Sequence, residues 1–205
     1  RDAQESRGLG DVYKRQCDIS AKGNCIIVYG ATANPIIRRC RLHHAERRGV
    51  YFSTNASGTL EDCDIFGNLL SGILIDRRAT PHIRRCHIHD NWQSGIFISD
   101  HGGGLIQDCE IDHNQAPGIF INHGGNPLVR YCKIHHGSNG IAVTEHGSAT
   151  LEDCDIFANS LPGVGISLGG NPLIRRCRIH EGNQQGVLIT ENGIGVIEDC
   201  DIFSN

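Results

Sequence analysis

Nine of the ten cysteines recur at a nearly constant interval, and this repeat limits the possible folds more than any other feature of the chain. The interval is 23 residues throughout, except for one step of 22 residues between Cys132 and Cys154. The series consists of Cys17, Cys40, Cys63, Cys86, Cys109, Cys132, Cys154, Cys177 and Cys200. A fixed period of this length indicates a stack of structural repeats, each of which packs against its neighbours.

Each repeat contains short segments in which apolar and other residues alternate. An aliphatic residue follows every cysteine of the series by two positions, and a Gly-aliphatic-x-aliphatic segment such as Gly72-Ile-Leu-Ile75 lies in mid-repeat. Period-2 segments rich in β-branched residues and separated by Gly, Asn and Pro predict strands and turns. No helical periodicity persists, and the Leu-x-x-Leu-x-Leu run of a leucine-rich repeat is missing. The sequence therefore predicts an all-β, single-stranded parallel β-helix, a solenoid of about eight 23-residue coils.

The repeat also resembles a known family. The segments 171–180, 186–190 and 195–205 are similar to the right-handed β-helix repeats of the pectate-lyase-like superfamily, and most similar to those of NosD-like bacterial proteins and of the F-box-only subunit of a ubiquitin ligase. The resemblance covers residues 17–205 and implies a right-handed helix. The superfamily includes polysaccharide lyases, hydrolases and epimerases as well as binding and scaffold modules. Its ladder position is usually Asn, so Cys at this position implies an apolar stack in place of a hydrogen-bonded one.

The two ends of the chain and its charge set further expectations. Residues 1–16 share nothing with the repeat and resemble the translation of a sequencing adapter, so we expect a non-native leader there and a β-helix domain at 17–205 that is truncated at both ends. A net charge of −4 gives no electrostatic reason to expect nucleic acid or an anionic membrane as a partner. No apolar run approaches the roughly 18 residues of a membrane span. The oligomeric state stays open.

The cysteines themselves are expected to be reduced and buried. The sequence contains no closely spaced pair of the kind that structural zinc sites use. Parallel stacking points successive Cβ atoms in the same direction, which disfavours a disulfide between coils. Cys25 lies outside the series. Ten unpaired cysteines favour a reducing compartment, whereas many members of the superfamily are exported, so the localisation stays open.

Charges around the cysteines alternate from one repeat to the next. The run Arg38-Arg39-Cys40-Arg41 is followed by Glu61-Asp62-Cys63-Asp64, and the alternation continues along the chain with a true period of 46 residues. In a stack of coils, every Arg of this series is expected to lie between carboxylates. Such a ladder fixes the register of the coils, and arginines that are already paired argue against a strip for binding polyanions.

A column of His and Phe follows the cysteines by three positions and leads to the first candidate site. In the middle coils this column and the next one place six possible ligands or acid–base groups close together. The set consists of His89, Asp90, Asp112, His113, His135 and His136. A His beside a carboxylate is suited to general-base chemistry, and a mixed set is suited to zinc or a similar ion. The alternative is an ordinary solvated polar ladder.

Two further surfaces and one turn motif stand out. A second polar patch follows the mid-repeat strand and consists of Asp100, His101, His123, Glu145 and His146. The middle residues of the mid-repeat strands are expected to face outwards and form an apolar interface stripe of Tyr51, Leu74, Phe97 and Phe120. A turn ladder with amide hydrogen bonds along the stack is expected at Asn68, Asn91, Asn114, Asn159 and Asn205.

These observations favour a recognition or scaffold module that binds carbohydrate or protein along its lateral face. Long inserted loops, where enzymes of such folds build their clefts, are missing. The first alternative is a polysaccharide lyase, hydrolase or epimerase, although no pair of Asp residues occurs on the aliphatic strand face. The second alternative is a NosD-like protein that handles metal ions. No cofactor is predicted, and zinc, copper and calcium are the ions considered.

Overall fold

The structure is a computed structural model that describes residues 17–205, and these residues form a parallel β-solenoid. The predicted leader, 1–16, lies outside the described residues. Each coil contributes one strand to each of three sheets, here named sheet A, sheet B and sheet C in chain order. Strands β1 to β25 make eight complete coils and one further strand, which confirms the predicted all-β class and the number of coils. Residues 17–205 contain no helix with the length and apolarity needed to cross a bilayer.

The three sheets have the following strands. Sheet A contains β1 Cys17–Ile19, β4 Cys40–His43, β7 Asp64–Phe66, β10 His87–His89, β13 Glu110–Asp112, β16 Lys133–His135, β19 Asp155–Phe157, β22 Arg178–His180 and β25 Asp201–Phe203. Sheet B contains β2 Ile26–Tyr29, β5 Val50–Ser53, β8 Ile73–Ile75, β11 Ile96–Ile98, β14 Ile119–Ile121, β17 Ile141–Val143, β20 Val164–Ile166 and β23 Val187–Ile189. Sheet C contains β3 Ile36–Arg38, β6 Thr59–Glu61, β9 His82–Arg84, β12 Gly103–Gln107, β15 Asn126–Arg130, β18 Ser148–Glu152, β21 Asn171–Arg175 and β24 Val196–Glu198.

Every strand pairs in parallel with its own copy in the next coil, so equivalent residues of successive repeats lie side by side. Ile88, for example, pairs with Ile65 on one side and Ile111 on the other. The single 22-residue step leaves this register intact. In sheet A, Asp112 still pairs with His135, 23 residues further on, whereas in the following strands of sheet B, Ile119 pairs with Ile141, 22 residues further on. The missing residue therefore falls in the turn between sheet A and sheet B, where it disturbs no strand.

The core is a narrow aliphatic column between the three sheets. In the middle coils Ile88 of sheet A, Ile96 of sheet B and Ile106 of sheet C are all 0% exposed. The alternation of strand side chains requires this result, because every second residue of each short strand points inwards. Burial of one such isoleucine contributes about 1.5–3 kcal/mol.

Glycine precedes seven of the eight strands of sheet B, all except β2, because neighbouring coils approach very closely there. A Cβ atom at Gly118 would lie 2.6 Å from Cγ2 of Ile134 and 2.8 Å from the carbonyl oxygen of Gly140. Neither contact is compatible with van der Waals radii. The recurring glycine is thus required by the spacing of the coils.

The cysteine seam lies at the turn between sheet C and sheet A and makes more polar contacts than its sequence suggests. A single residue with positive φ, such as Arg85 (φ 49°) or Asp108 (φ 53°), forms each turn. The thiol of Cys86 then lies 3.3 Å from the carbonyl oxygen of Arg84, and the same contact recurs in the other coils. The expected apolar stack is confirmed, since the cysteines from Cys40 to Cys177 belong to the hydrophobic core, and each of these thiols in addition donates to a carbonyl group at the turn.

All ten cysteines are free, in agreement with the expected reduced seam. Those from Cys40 to Cys177 in the series are buried, whereas Cys17 is exposed. Burial raises the pKa of Cys40 to about 11. The seam from Cys40 to Cys177 is thus a row of reduced thiols in the interior.

The predicted asparagine ladder is present in the turn between sheet A and sheet B. Nδ2 of Asn68 donates to Oδ1 of Asn91 at 2.9 Å, and Nδ2 of Asn91 donates to Oδ1 of Asn114 at the same distance. Gly137 interrupts the side-chain row, but its N–H donates to Oδ1 of Asn159 at 3.1 Å. These amides satisfy turn backbone groups that are shielded from water.

The alternating charges meet in register, as expected. Arg41 lies between Asp18, at 3.0 Å, and Asp64, at 3.6 Å. Arg176 contacts Asp153 at 2.9 Å. The hydrogen bond from the Arg176 guanidinium holds the pKa of Asp153 below its ordinary value.

The expectation that every Arg of the series lies between carboxylates is nevertheless wrong at two places in the ladder. Arg130 donates to the side chain of Gln107 and has no carboxylate within ion-pair distance among residues 17–205. Arg38 is in register with Glu61, yet neither it nor Arg39 has a carboxylate within ion-pair distance among residues 17–205. The reason is that Glu61 contacts Arg84 and Arg85 of the following coil instead.

Candidate functional site

The outward face of sheet A carries the predicted column of aromatic rings, which stack from coil to coil. The rings of His43, Phe66 and His89 have centroid separations of 4.9 and 5.1 Å. A second run begins at His135, which stacks on Phe157 at 4.5 Å and continues through two further coils. Each ring of the column therefore stacks on at least one neighbouring ring.

Asp112 interrupts the column between these two runs. It is in register with His89 and His135 but bonds to other histidines. Its two carboxylate oxygens lie 2.7 Å from Nε2 of His87 and 2.6 Å from Nδ1 of His113. Burial favours the neutral acid, but the hydrogen bonds from His113 and His87 outweigh it and lower the pKa of Asp112. The carboxylate is therefore a fixed negative charge in the middle of the face.

The six residues of the first predicted patch divide between two surfaces. His89, Asp112 and His135 stay on the outward face of sheet A, in line with the strands. Asp90, His113 and His136 have positive φ and turn away into a shallow cleft beside the sheet, where the rings of the two histidines stack at 5.2 Å. The two rows remain linked through short contacts, such as 2.7 Å between His89 Nδ1 and Asp90 Oδ2. No single site contains all six side chains.

Two residues that the sequence analysis did not select complete a tighter cluster on sheet A. Asp64 and His87 directly follow their cysteines, and with His89 they place three potential ligand atoms within 4.8 Å of one another. His89 Nε2 is 3.0 Å from Asp64 Oδ1. Burial opposes protonation of His89, but hydrogen bonds to Asp90 and Asp64 outweigh it and raise the pKa of His89. The signal in the sequence was that His87 occupies a position where Arg41, Lys133 and Arg178 stand in equivalent coils.

The second predicted patch also divides in two. Asp100 and His101 line one shallow cleft beside sheet B, whereas His123, Glu145 and His146 line another further along. Within the latter group His123 Nδ1 lies 3.1 Å from Oε2 of Glu145. The turn that follows sheet B therefore presents two small polar clefts.

The predicted apolar stripe is present on the outward face of sheet B. Tyr51, Leu74, Phe97 and Phe120 are in register on four adjacent strands. The rings of Phe97 and Phe120 stack at 5.2 Å. Leu74 departs from the expectation of exposure, since it is only 6% exposed between its two larger aromatic neighbours. The outward surface of the stripe is thus mainly aromatic.

Arginines that the sequence analysis overlooked flank this stripe. The guanidinium of Arg48 lies 5.7 Å from the centre of the Tyr51 ring. Arg77 and Arg78 line the cleft that contains Asp100 and have no ion-pair partner within residues 17–205. They were missed because the charge pattern was followed only around the cysteines. Arg48 is thus in contact with the stripe, and Arg77 and Arg78 lie in the turn that follows its strand β8.

Tyr51 also takes part in a polar network at the edge of the stripe. Its hydroxyl donates to Oδ2 of Asp76 at 3.0 Å, and Oδ1 of Asp76 accepts a bond of 2.6 Å from Ser53. Apart from this tyrosine, the outward residues of the aromatic stripe cannot take part in proton transfer. The network therefore brings the carboxylate of Asp76 into direct contact with the stripe.

The described geometry agrees with the comparison with protein families. The model for the right-handed beta helix region matches residues 7–114 and 71–205, so the chain belongs to this family. The predicted right-handed β-helix is thereby confirmed. A search of curated proteins gave no match.

Solved structures with the same fold include enzymes that act on polysaccharides. The mannuronan C-5 epimerase A-module of Azotobacter vinelandii is 16% identical, with a TM-score of 0.65 over 82% of this chain and 56% of that one. A periplasmic alginate epimerase is 12% identical, with a TM-score of 0.66 over 83% and 50%. A pectate lyase is 11% identical, with a TM-score of 0.63 over 81% and 50%. The chain thus spans about half the length of these structures, and at such identities the similarity establishes a common fold.

Proposed function

We propose that this chain is a recognition module that binds an extended acidic polysaccharide along the outward face of sheet B. The strongest support is the stripe of Tyr51, Leu74, Phe97 and Phe120, which contributes one residue from each of four adjacent coils. A linear polymer of identical units matches such a linear repeat of contact sites. Aromatic rings provide large apolar contact areas at fixed positions, as the faces of sugar rings require.

The flanking charges favour an acidic polymer over a neutral one. Arg48 lies over the ring of Tyr51, and Arg77 and Arg78 lie in the turn directly after strand β8 of the stripe, without an acidic partner in the described part of the chain. A guanidinium group binds a carboxylate through two parallel hydrogen bonds. The names of the structural neighbours point in the same direction, since mannuronan, alginate and pectate are all polyuronates.

Calorimetric titration with alginate and pectate oligomers, and with dextran as the neutral comparison, tests this proposal. We expect the acidic oligomers to bind and the affinity to fall as salt screens the arginines. The double variant Phe97→Ala/Phe120→Ala should lose at least about tenfold in affinity, and so should Arg77→Gln/Arg78→Gln. Phe157→Ala and Arg178→Gln, on the outward face of sheet A, are the matched controls. Binding that is unchanged in both stripe variants, or that prefers dextran, would contradict the proposal.

The network at Tyr51 supports a second candidate, an epimerase or lyase that acts on the same polymer. Both reactions begin with removal of the proton beside a uronate carboxylate, which requires a base and a cation to stabilise the developing charge. Tyr51, which is hydrogen-bonded to Asp76, offers the base, and the Arg48 guanidinium above its ring offers the cation. Formation of an unsaturated uronate, or exchange of the sugar C5 proton in NMR spectra, would reveal turnover. Tyr51→Phe should abolish turnover while binding persists, and a lack of turnover in the unaltered protein would contradict this candidate.

A further inference from the structure

The cluster of Asp64, His87 and His89 lies on the outward face of sheet A and has no part in the proposed polysaccharide surface. The three side chains come from two neighbouring strands, β7 and β10, which pair in register. His89 Nε2 is 3.0 Å and His87 Nδ1 is 4.0 Å from Oδ1 of Asp64. The two imidazole rings stack on each other, with centroids 4.0 Å apart. Two ring nitrogens and a carboxylate oxygen thus converge on one point of the surface.

The ring nitrogens that face away from Asp64 are both bonded to carboxylates. His89 Nδ1 lies 2.7 Å from Oδ2 of Asp90, and His87 Nε2 lies 2.7 Å from Oδ1 of Asp112. Histidines that bind metal ions commonly donate their other N–H to a carboxylate, which fixes the tautomer and orients the ring. Here both histidines have that arrangement, so the other ring nitrogens, Nδ1 of His87 and Nε2 of His89, already face Asp64.

Two departures from the 46-residue repeat meet at this cluster. In equivalent coils the position of His87 carries Arg or Lys, and the position of Asp112 carries Phe in every coil but the first, where Ser20 stands. There the cation lies above the ring, as Arg41 does above Phe66 at 5.0 Å. His87 thus replaces a cation that would repel a metal ion, and it is itself a potential ligand. Asp112 replaces a phenyl ring by a carboxylate that orients His87.

We propose that Asp64, His87 and His89 bind one divalent transition-metal ion of the zinc type, with Asp90 and Asp112 as the carboxylates that orient the two imidazoles. A set of imidazole nitrogens and a carboxylate oxygen suits zinc and other divalent transition-metal ions, whereas calcium prefers oxygen ligands alone. Bonds of about 2.0–2.1 Å in tetrahedral geometry place ligand atoms roughly 3.4 Å apart, so a small rotation of His87 closes the site. Three protein ligands leave one position for water or for a group of a bound partner.

Metal titration of the full chain without a histidine tag, after treatment with a chelator, tests the proposal. We expect calorimetry with Zn²⁺ to show one site per chain, tighter than millimolar. Co²⁺ should give the visible absorption of a tetrahedral site with nitrogen and oxygen ligands, without a thiolate charge-transfer band. That spectrum distinguishes this site from binding by the cysteines.

Variants locate the ion. His87→Arg recreates the arrangement of the equivalent coils and should lower Zn²⁺ affinity at least 100-fold while the thermal midpoint of the metal-free protein stays close to its original value. Asp90→Asn and Asp112→Asn, which change only the orienting groups, should weaken binding about 10–100-fold. Asp155 is the equivalent of Asp64 in another coil, where it lies beside Arg178 and His180. Asp155→Asn should therefore leave Zn²⁺ binding unchanged.

Three results would overturn the proposal. The first is the lack of any site tighter than millimolar, which would leave the cluster as a set of hydrogen-bonded pairs. The second is Zn²⁺ binding by His87→Arg that equals that of the unaltered protein, which would place the ion at another histidine pair such as His135 and His136. The third is a thiolate charge-transfer band in the Co²⁺ complex, which would place the ion on a cysteine.

Discussion

The side-chain amide of Asn68 donates a 2.9 Å hydrogen bond to Oδ1 of Asn91, one coil further along the solenoid. Both side chains are 0% exposed, so no water replaces this bond when it is lost. Asn91 also accepts from the backbone N–H of Asn68 and donates to the carbonyl group of His89. A single side chain therefore satisfies backbone groups in two coils.

Asn91→Ala should destabilise the protein by about 2–3 kcal/mol, because buried donors and acceptors lose their partners. Urea denaturation followed by circular dichroism measures this change. Asn183→Ala is the control, since Asn183 is exposed in the corresponding turn region and should tolerate the change. A midpoint for Asn91→Ala equal to that of the control would show that the ladder does not contribute to stability.

Gly118→Ala should destabilise the protein through a steric clash. The new methyl group would meet the carbonyl oxygen of Gly140 at 2.8 Å and Cγ2 of Ile134 at 2.6 Å, so a cost of about 1–3 kcal/mol is expected. At Gly137 the nearest atoms lie at 3.5 Å or beyond, and Gly137→Ala should be tolerated. Thermal unfolding of the two variants tests the difference, and equal midpoints would contradict the close approach of the coils.

Acid should destabilise the protein through its ion-pair ladder. Hydrogen bonds from Arg85 and Arg176 lower the pKa values of Asp62 and Asp153 below their ordinary value of 3.8. A carboxyl group with a lowered pKa stabilises the folded state above its unfolded pKa, and this contribution is lost as the pH falls through the folded pKa. The urea midpoint should therefore decline as the pH falls below about 3.8.

Variants of the arginines test the origin of this decline. Arg85→Gln/Arg176→Gln should show a shallower fall of the urea midpoint with decreasing pH, because both carboxyl groups then return towards their ordinary pKa. Arg78 has no ion-pair partner in the described part of the chain. Arg78→Gln should therefore keep the original dependence of the urea midpoint on pH. The same slope in all three proteins would assign the acid sensitivity to other groups.

The thiols should react with Ellman's reagent in a sequence that follows their burial. Exposed Cys17 should react first, and the buried thiols from Cys40 to Cys177 only after unfolding, when all ten become accessible. Burial raises the pKa of Cys40 to about 11 and also raises that of Cys25, which keeps the reactive thiolate scarce. Cys17→Ser should remove the fast phase. Rapid reaction of the buried seam in the folded protein would contradict the structure.

Much of the fold follows from the sequence because the coils are stacked copies of one unit. Once the 23-residue period is known, residues such as Asn68 and Asn91 must lie side by side, and so must Arg41 and Asp64. The aromatic column and the apolar stripe were predicted in the same way. The charge of Arg38 was placed correctly in register, but its pairing was not, since Glu61 turns to the next coil.

The candidate sites were predicted less completely. Periodicity gives the neighbours of a residue along the stack, but it does not give the direction of its side chain at a turn. Asp90 and His113 have positive φ, which turns them away from the face that holds His89 and Asp112.

The sequence by itself determined the architecture of this protein, because register and alternation depend only on spacing along the chain. Only the tertiary structure decided that His87 lies with Asp64 and His89 between two orienting carboxylates. It also decided that Leu74 is covered and that Arg77 and Arg78 have no acidic partner within residues 17–205. Such features depend on rotamers, turn conformations and distances of a few ångströms between coils, and these are set when the coils pack.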